Sequence, residues 1–342
     1  MRRAYVGYST SILYWLKNGM DDADRENVVH ATSLGNAAYR LRDVEAADLG
    51  SYGLEASTAR GWPERKHKGI KPKKPVPDGP AYHLLVPRGV DHNRLDGVER
   101  HVWQSHIPNN SFFKKNQFLY ISTPEFSFLQ LAGLLSQQQL ILVGYWLCAK
   151  YRIREDGLTI PVEPITSVEK ISAYLDDAEG CYGARKARRA LAWVVDNARS
   201  VQEVNTSMLA SLPLYMGGYG FGKPVINARI NAGDLDESTL DRGDRKYFEI
   251  DLYWPKKRAG LEYDGADHLY PDQVRKDKRR LNCLLANDIR LLSVMYDQLA
   301  DEDVRKRTMN QLARLLDLPN RDPDKKARDA LLGLLYKNEF SL

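Results

Sequence analysis

Cysteine is scarce: Cys148, Cys181 and Cys283 are the only three in 342 residues. They stand far apart in apolar, helical-looking contexts, which excludes a disulfide framework and a zinc knuckle. A reducing cytoplasm is the expected setting. Long apolar runs are missing as well. The longest, "LILVGYWLCA" from Leu140 to Ala149, falls well short of the ~20 residues that span a bilayer. No apolar stretch follows the opening Met-Arg-Arg, so neither a secretory leader nor a membrane partner is expected. Internal repeats are absent, and no segment is poor enough in apolar residues to be read as disordered.

Nor does one sign of charge dominate. Lys and Arg number 50 against 45 Asp and Glu, a formal net charge of +5. That balance permits a nucleic-acid partner without demanding one. The distribution is more informative. Basic clusters stand at Glu64 to Lys74, Ala184 to Ala190, Pro255 to Arg258 ("PKKR") and Arg275 to Arg280 ("RKDKRR"). A single basic run is ordinarily a solvated face. The last two flank acidic segments, which makes Lys256, Lys257, Arg258, Arg275, Lys276, Arg279 and Arg280 candidates for contact with a phosphate backbone.

Along the chain, "TSILYWLKN" reads as a helix opened by Thr10 or Ser11. A second helical pattern runs through "SLGNAAYRLRDVEAADL", and the Pro- and Lys-rich stretch after it reads as loop. The runs "AYHLLVP", "VERHVWQS" and "QFLYIST" have the composition of strands in a small sheet. Helices follow, the first opened by Pro124, with two more near Val168 to Asp177 and Ala184 to Asn197. His101 and His106, five apart and read on one strand, would face opposite sides and are taken as ordinary polar positions.

From Ser200 the pattern changes to helix, three strands, helix, strand, helix. Ser200 and Glu203 have capping-box spacing at the start of the first helix. The strands are "PVINARI", "KYFEIDLYW" and "RAGLEYDG". Asp251, Glu262 and Asp264 sit inside the second and third. An unpaired charge there costs several kcal/mol or must be neutralised. Residues two apart on a strand share a face, so neighbouring strands can bring these carboxylates together at one end of a sheet. Clustered carboxylates repel unless a cation sits among them or one takes a proton. Oxygen-only ligands favour a hard divalent ion, Mg²⁺ or Mn²⁺.

This order, with Asp on the second strand and Glu-x-acidic on the third, resembles the PD-(D/E)XK nuclease superfamily. The nearer resemblance, over about 200–317, is to small bacterial proteins with a very-short-patch-repair-like endonuclease domain, the DUF559 group. "QEVNTSM", "VIN", "DLYWP", "EYDGADH" and "RKDKRR" supply the corresponding pieces in order. The resemblance implies Asp251 and Glu262 as metal ligands, Glu203 as an acidic helper on the first helix, and Asp264 where the superfamily places a lysine. Two residues are candidates to replace that lysine. On the helix after the third strand, Val274, Leu281 and Leu285 define a buried stripe at helical spacing. Lys278 lies beside it with Asp277, while Lys276 projects away. His268 is the rival, as general acid or base. Bland readings stand beside these: Glu203 as the cap partner of Ser200, Asp264-Gly265 as a turn. The upstream region resembles, more weakly, the N-terminal part of AbiEi-type antitoxins.

The resulting expectation is an α/β protein: an α+β recognition or regulatory module over 1–198, a nuclease domain with a restriction-endonuclease-like mixed sheet over 199–320, and a C-terminal helix over 321–342. The expected activity is metal-dependent hydrolysis of phosphodiesters, DNA ahead of RNA, with a homodimer or protein partner left open. The rival is a non-catalytic DNA-binding regulator or antitoxin-like protein that keeps a nuclease fold.

Overall fold

The computed structural model describes all residues except 1–2, 32, 35–36, 38–48, 58–79, 88–96, 155–156, 232–246, 265–279, 296–298, 300 and 338–342, with backbone alone at 264. The expected helix over "SLGNAAYRLRDVEAADL" and the loop after it fall largely outside the described residues. The fold is mixed α/β. It divides between Val194 and Val195 into two compact units, the second running to Lys337. The break lies slightly before the expected one at 198. Among the described residues no helix is long and apolar enough to cross a membrane.

Unit 1 opens with β1 (Ala4–Val6), α1 (Tyr8–Asn18), α2 (Asp22–Glu26) and β2 (Val28–Val29). Then come β3 (Tyr82–Val86), β4 (Val98–Val102), β5 (Phe112–Lys114) and β6 (Leu119–Ser122). These strands form one mixed sheet in the order β2-β5-β6-β1-β3-β4. β1 runs parallel to β6 and antiparallel to β3, and β3 runs parallel to β4. Three of the six strands are the ones read from sequence; β1, β2 and β5 are too short to show alternation. His101 lies on β4, whereas His106 lies beyond its end. The opposite-faces reading, which put both on one strand, is therefore corrected.

Helix α1 begins at Tyr8, earlier than Thr10 or Ser11, with Gly7 as an N-cap that has no side chain to accept a capping hydrogen bond. Close packing requires that glycine: a Cβ there would run into the side chains of Leu85 and Gln130. The fully buried Trp15 of α1 donates its indole N–H to the carbonyl of Ser122 at 2.7 Å. The sheet is followed by α3 (Pro124–Ala132), α4 (Gln137–Cys148), β7 (Tyr151–Ile153), β8 (Thr159–Pro161), α5 (Val168–Asp177) and α6 (Ala184–Leu191). Pro124 does open its helix, capped by Thr123, and α6 ends short of the expected Asn197. The three cysteines are buried, and none is in a disulfide.

Unit 2 contains α7 (Val201–Ser211), β9 (Val225–Asn231), β10 (Tyr247–Trp254), β11 (Ala259–Asp264), a helical segment at 280–286, β12 (Arg290–Met295), α8 (Glu302–Leu315) and α9 (Lys325–Tyr336). Its sheet has the order β12-β11-β10-β9. β9–β10 and β10–β11 are antiparallel and β11–β12 is parallel. Phe248, Ile250 and Ala228 pack with Cys283, Leu284 and Ile289 in a core cluster. The expected stripe of Leu281 and Leu285 is not buried: they are 42% and 51% exposed. The helix is rotated so that Cys283 and Leu284 meet the sheet, and the third stripe residue, Val274, lies outside the described residues.

Gly260 sits where β10 and β11 pair. A Cβ at this position would stand 2.6 Å from Cγ2 of Ile250, a fully buried side chain, and 3.0 Å from Leu291. Overpacking of this kind costs about 1–3 kcal/mol. Gly260→Ala is therefore expected to lower the urea midpoint of unfolding of the full chain. An unchanged midpoint would contradict the packing described.

Candidate active site

Three elements bring acidic side chains together. Ser200 caps α7, its hydroxyl accepting from the Glu203 N–H at 3.2 Å and donating to Glu203 Oε1 at 3.0 Å. This local bond fixes Glu203 on the first turn of the helix, where it is 7% exposed. Its other oxygen accepts from the Arg199 N–H at 2.9 Å and the Asn227 amide at 2.6 Å. Asn227 interrupts β9: its φ is +50°, in the left-handed region that asparagine tolerates better than most residues. The β9–β10 register passes from Ala228↔Ile250 to Ile226↔Leu252 around it. Glu203 is thus the partner of the Ser200 cap, with its side chain turned to the Ser200 hydroxyl and the Arg199 N–H.

Asp251 lies between Ile250 and Leu252, which are both fully buried. The β10–β11 ladder runs from Trp254↔Ala259 to Leu252↔Leu261. At the next residue the Asp251 side chain takes over, its Oδ2 accepting from the Tyr263 N–H at 2.8 Å. Glu262 is held by Arg280, which donates from Nη1 to Oε2 at 2.8 Å and from Nη2 to Oε1. Arg280 Nη2 also donates to the Glu249 carbonyl at 2.5 Å. Glu249 itself forms an ion pair with Arg199 at 2.9 Å and a longer one with Arg229 at 3.7 Å.

The four carboxylates therefore divide. Glu249 and Glu262 are each paired with arginine. Among the described residues, neither Glu203 nor Asp251 has a basic group in ion-pair range; neutral donors hold both. Burial pushes the Glu203 carboxyl up from its ordinary value, and the charge of Asp251 adds to this against the opposing hydrogen bonds. Burial likewise raises Asp251, reinforced by Glu262 and Glu249 and opposed by the Tyr263 N–H and Arg280. Glu249 is lowered, chiefly by Arg199. Burial and neighbouring like charge both raise a carboxyl in this way.

The oxygen-only donors Glu203, Asp251 and Glu262 suit a hard divalent ion in kind. Both oxygens of Glu262 are engaged by one guanidinium. Glu203, Asp251 and Glu262 do not draw together as a trio within 4.8 Å. Asp264 pairs through its backbone with Met295 on β12. His268, Arg275, Lys276, Asp277, Lys278 and Arg279 lie outside the described residues. Lys256, Lys257 and Arg258 form the tight turn joining β10 to β11, roughly 13–17 Å along the hairpin from Asp251 at about 3.3 Å per residue. Arg280 faces Glu262 rather than standing free for phosphate.

Asn227 enters the sequence reading only within the motif piece "VIN", and Arg199 and Glu249 are not singled out there as members of this cluster. Asn227 was the one with a local signal, an asparagine inside a strand-like run, where a left-handed residue interrupts pairing. Compared with known proteins, the chain matches no family model, no curated protein and no solved structure.

Asp251 and Glu203 bind a proton more tightly folded than unfolded. Their contribution therefore favours the fold most below the ordinary carboxylate range, and it is lost as pH rises through the raised values. Asp251→Asn removes the charge and keeps an oxygen to accept from Tyr263. In chelator-treated buffer at pH 7 the variant is expected to melt above the wild type, by about 2–4 °C for each kcal/mol relieved. The gap should close as pH falls towards about 4, the ordinary range for aspartate. Thermal melts across a pH series measure this, and a variant that melts lower at pH 7 contradicts it.

Proposed function

We propose that unit 2 is a restriction-endonuclease-like domain that hydrolyses nucleic-acid phosphodiesters, DNA ahead of RNA, with Mg²⁺ or Mn²⁺ held by Asp251, Glu262 and Glu203. One observation carries this reading: Glu203 and Asp251 are both desolvated carboxylates raised from their ordinary values, and the charge of Asp251 is near enough to raise Glu203. Such an ion would polarise the scissile phosphate and lower the pKa of an attacking water.

The chain's own groups would prepare the site. Asn227 and the Arg199 N–H keep Glu203 in one orientation, and the Tyr263 N–H keeps Asp251 in another. Arg280 fixes Glu262 by a two-pronged pair whose geometry is more restrictive than that of a lysine contact. Lys278 or His268 would assist the water or the leaving group, and Asp264 would join them near the reacting phosphate. The exposed Lys256 and Arg258, with Lys257, Arg275, Lys276 and Arg279, would track the backbone. Unit 1 would serve recognition or regulation in a cytoplasmic protein, and a homodimer or a partner protein would complete the active assembly.

A second reading has its own observation. Both Glu262 oxygens are satisfied by Arg280 without any metal, and an aspartate stands where the superfamily has lysine. That combination favours a DNA-binding regulator or antitoxin-like protein that retains a nuclease fold.

Metal-freed protein incubated with supercoiled plasmid, single-stranded DNA and RNA, with and without Mn²⁺, separates the two. Cleavage that requires the ion is expected. It should fall at least about a hundredfold in the Asp251→Ala, Glu262→Ala double variant, the scale for removing an electrostatic stabiliser. DNA binding retained by that variant, with no cleavage by the wild type and no Mn²⁺ uptake, overturns the nuclease in favour of the regulator.

A further inference from the structure

Unit 1 contains a cluster of a different chemical kind. β3 and β4 are neighbouring parallel strands with His83 opposite Glu99 and Leu85 opposite His101. Glu99 and His101 are two apart on β4 and so share a face. The result is two imidazoles and a carboxylate on one side of two adjacent strands, at the edge of the sheet. His83 Nδ1 and His101 Nε2 stand 2.8 Å apart, with ring planes 13° from parallel. The same Nε2 is 3.9 Å from Glu99 Oε1. The ligand atoms of all three residues lie within 4.8 Å of one another, and among the described residues no other trio of His, Cys, Asp and Glu does so.

We propose that His83, Glu99 and His101 bind a divalent transition metal, with Zn²⁺ the favoured occupant. Imidazole nitrogen suits zinc and its neighbours better than it suits Mg²⁺ or Mn²⁺. Ligand atoms about 2.0–2.2 Å from zinc stand roughly 3.3–3.5 Å from one another in a tetrahedron. The separations of 2.8 and 3.9 Å bracket that spacing, so small side-chain rotations bring the donors to it. The two facing nitrogens share one proton, so one ring must move its proton to its other nitrogen when the ion enters. No net proton is released by that exchange.

The surroundings suit a metal ligand. His83 is 4% exposed and its backbone N–H donates to Thr10 Oγ1 at 3.0 Å, which fixes that strand residue. The Tyr8 ring stacks on His101 with centroids 3.8 Å apart and holds the imidazole plane. The Glu99 side chain is 43% exposed and opens the cluster to solvent. Three protein ligands leave a position for water, the arrangement of sites that keep an open coordination position.

The test is independent of the acidic cluster in unit 2. Full-length protein is stripped with a chelator, incubated with Zn²⁺, desalted and analysed for retained zinc by mass spectrometry. Co²⁺ in place of Zn²⁺ gives visible d–d absorption as a report on nitrogen coordination. Retention near one zinc per chain is expected for the wild type and for the Asp251→Asn, Glu262→Gln variant. Affinity should fall at least about tenfold in Glu99→Gln, whose exposed position leaves folding intact, because loss of a ligand exceeds the tenfold effect of lost second-layer partners. His83→Gln with His101→Gln should abolish retention and the Co²⁺ bands. No zinc on the wild type, or equal affinity in wild type and Glu99→Gln, overturns the proposal even if the double-histidine variant fails to fold.

Discussion

A carboxylate carried into a sheet loses its water, and the means of replacing that water shapes unit 2. Glu249 and Glu262 meet the loss with arginine, at 2.9 Å from Arg199 and through the fork of Arg280. Removing one partner of such a part-buried pair leaves a charge stranded, a change that costs about 3–5 kcal/mol in buried cases. Among the described residues, Glu203 and Asp251 meet the loss with hydrogen bonds from neutral donors, and burial leaves their protons held more tightly than usual. Stability alone gives no reason to gather two such groups, and an ion gives one. The irregular left-handed Asn227 belongs to the same logic: it gives up regular pairing in β9 and turns an amide towards Glu203.

Unit 1 solves the burial of polar groups differently. His83 and His101 enter the sheet in contact with each other, Nδ1 of one ring 2.8 Å from Nε2 of the other. The carboxylate of the trio stays partly in solvent. The two clusters therefore differ in donor type as well as in position. All-oxygen donors in unit 2 favour a hard ion, while the nitrogen-rich trio of unit 1 favours zinc.

The strands around Asp251 and Glu262 were legible in the sequence because they are long, aromatic and interrupted by charges at fixed spacing. β9 to β12 and the flanking helices follow the expected order, and the Ser200–Glu203 spacing is the cap it suggests. β1, with three residues between an arginine and Gly7, gives no periodic signal, and its helix starts on a glycine rather than on a hydroxyl cap. The rotation of the 280–286 helix was misread because Leu281 and Leu285 outrank Cys283 in hydrophobicity, although Cys283 and Leu284 meet the core. Pairing across strands was the least legible feature. Nothing in "AYHLLVP" or "VERHVWQS" alone says that His83 meets His101; only the parallel register of β3 and β4 does. Arg199 and Arg280 were hidden in the same way, since their partners lie on other elements.

The central claim is that the carboxylates of unit 2 exist to hold a hard divalent ion. Its most direct measurement is Mn²⁺ uptake by the full chain, read from the loss of the electron paramagnetic resonance signal of free Mn²⁺, beside the Asp251→Asn, Glu262→Gln variant. Uptake by the wild type that the variant lacks is the expected result. Equal uptake by both proteins, or none by either, contradicts a metal centre at Asp251 and Glu262.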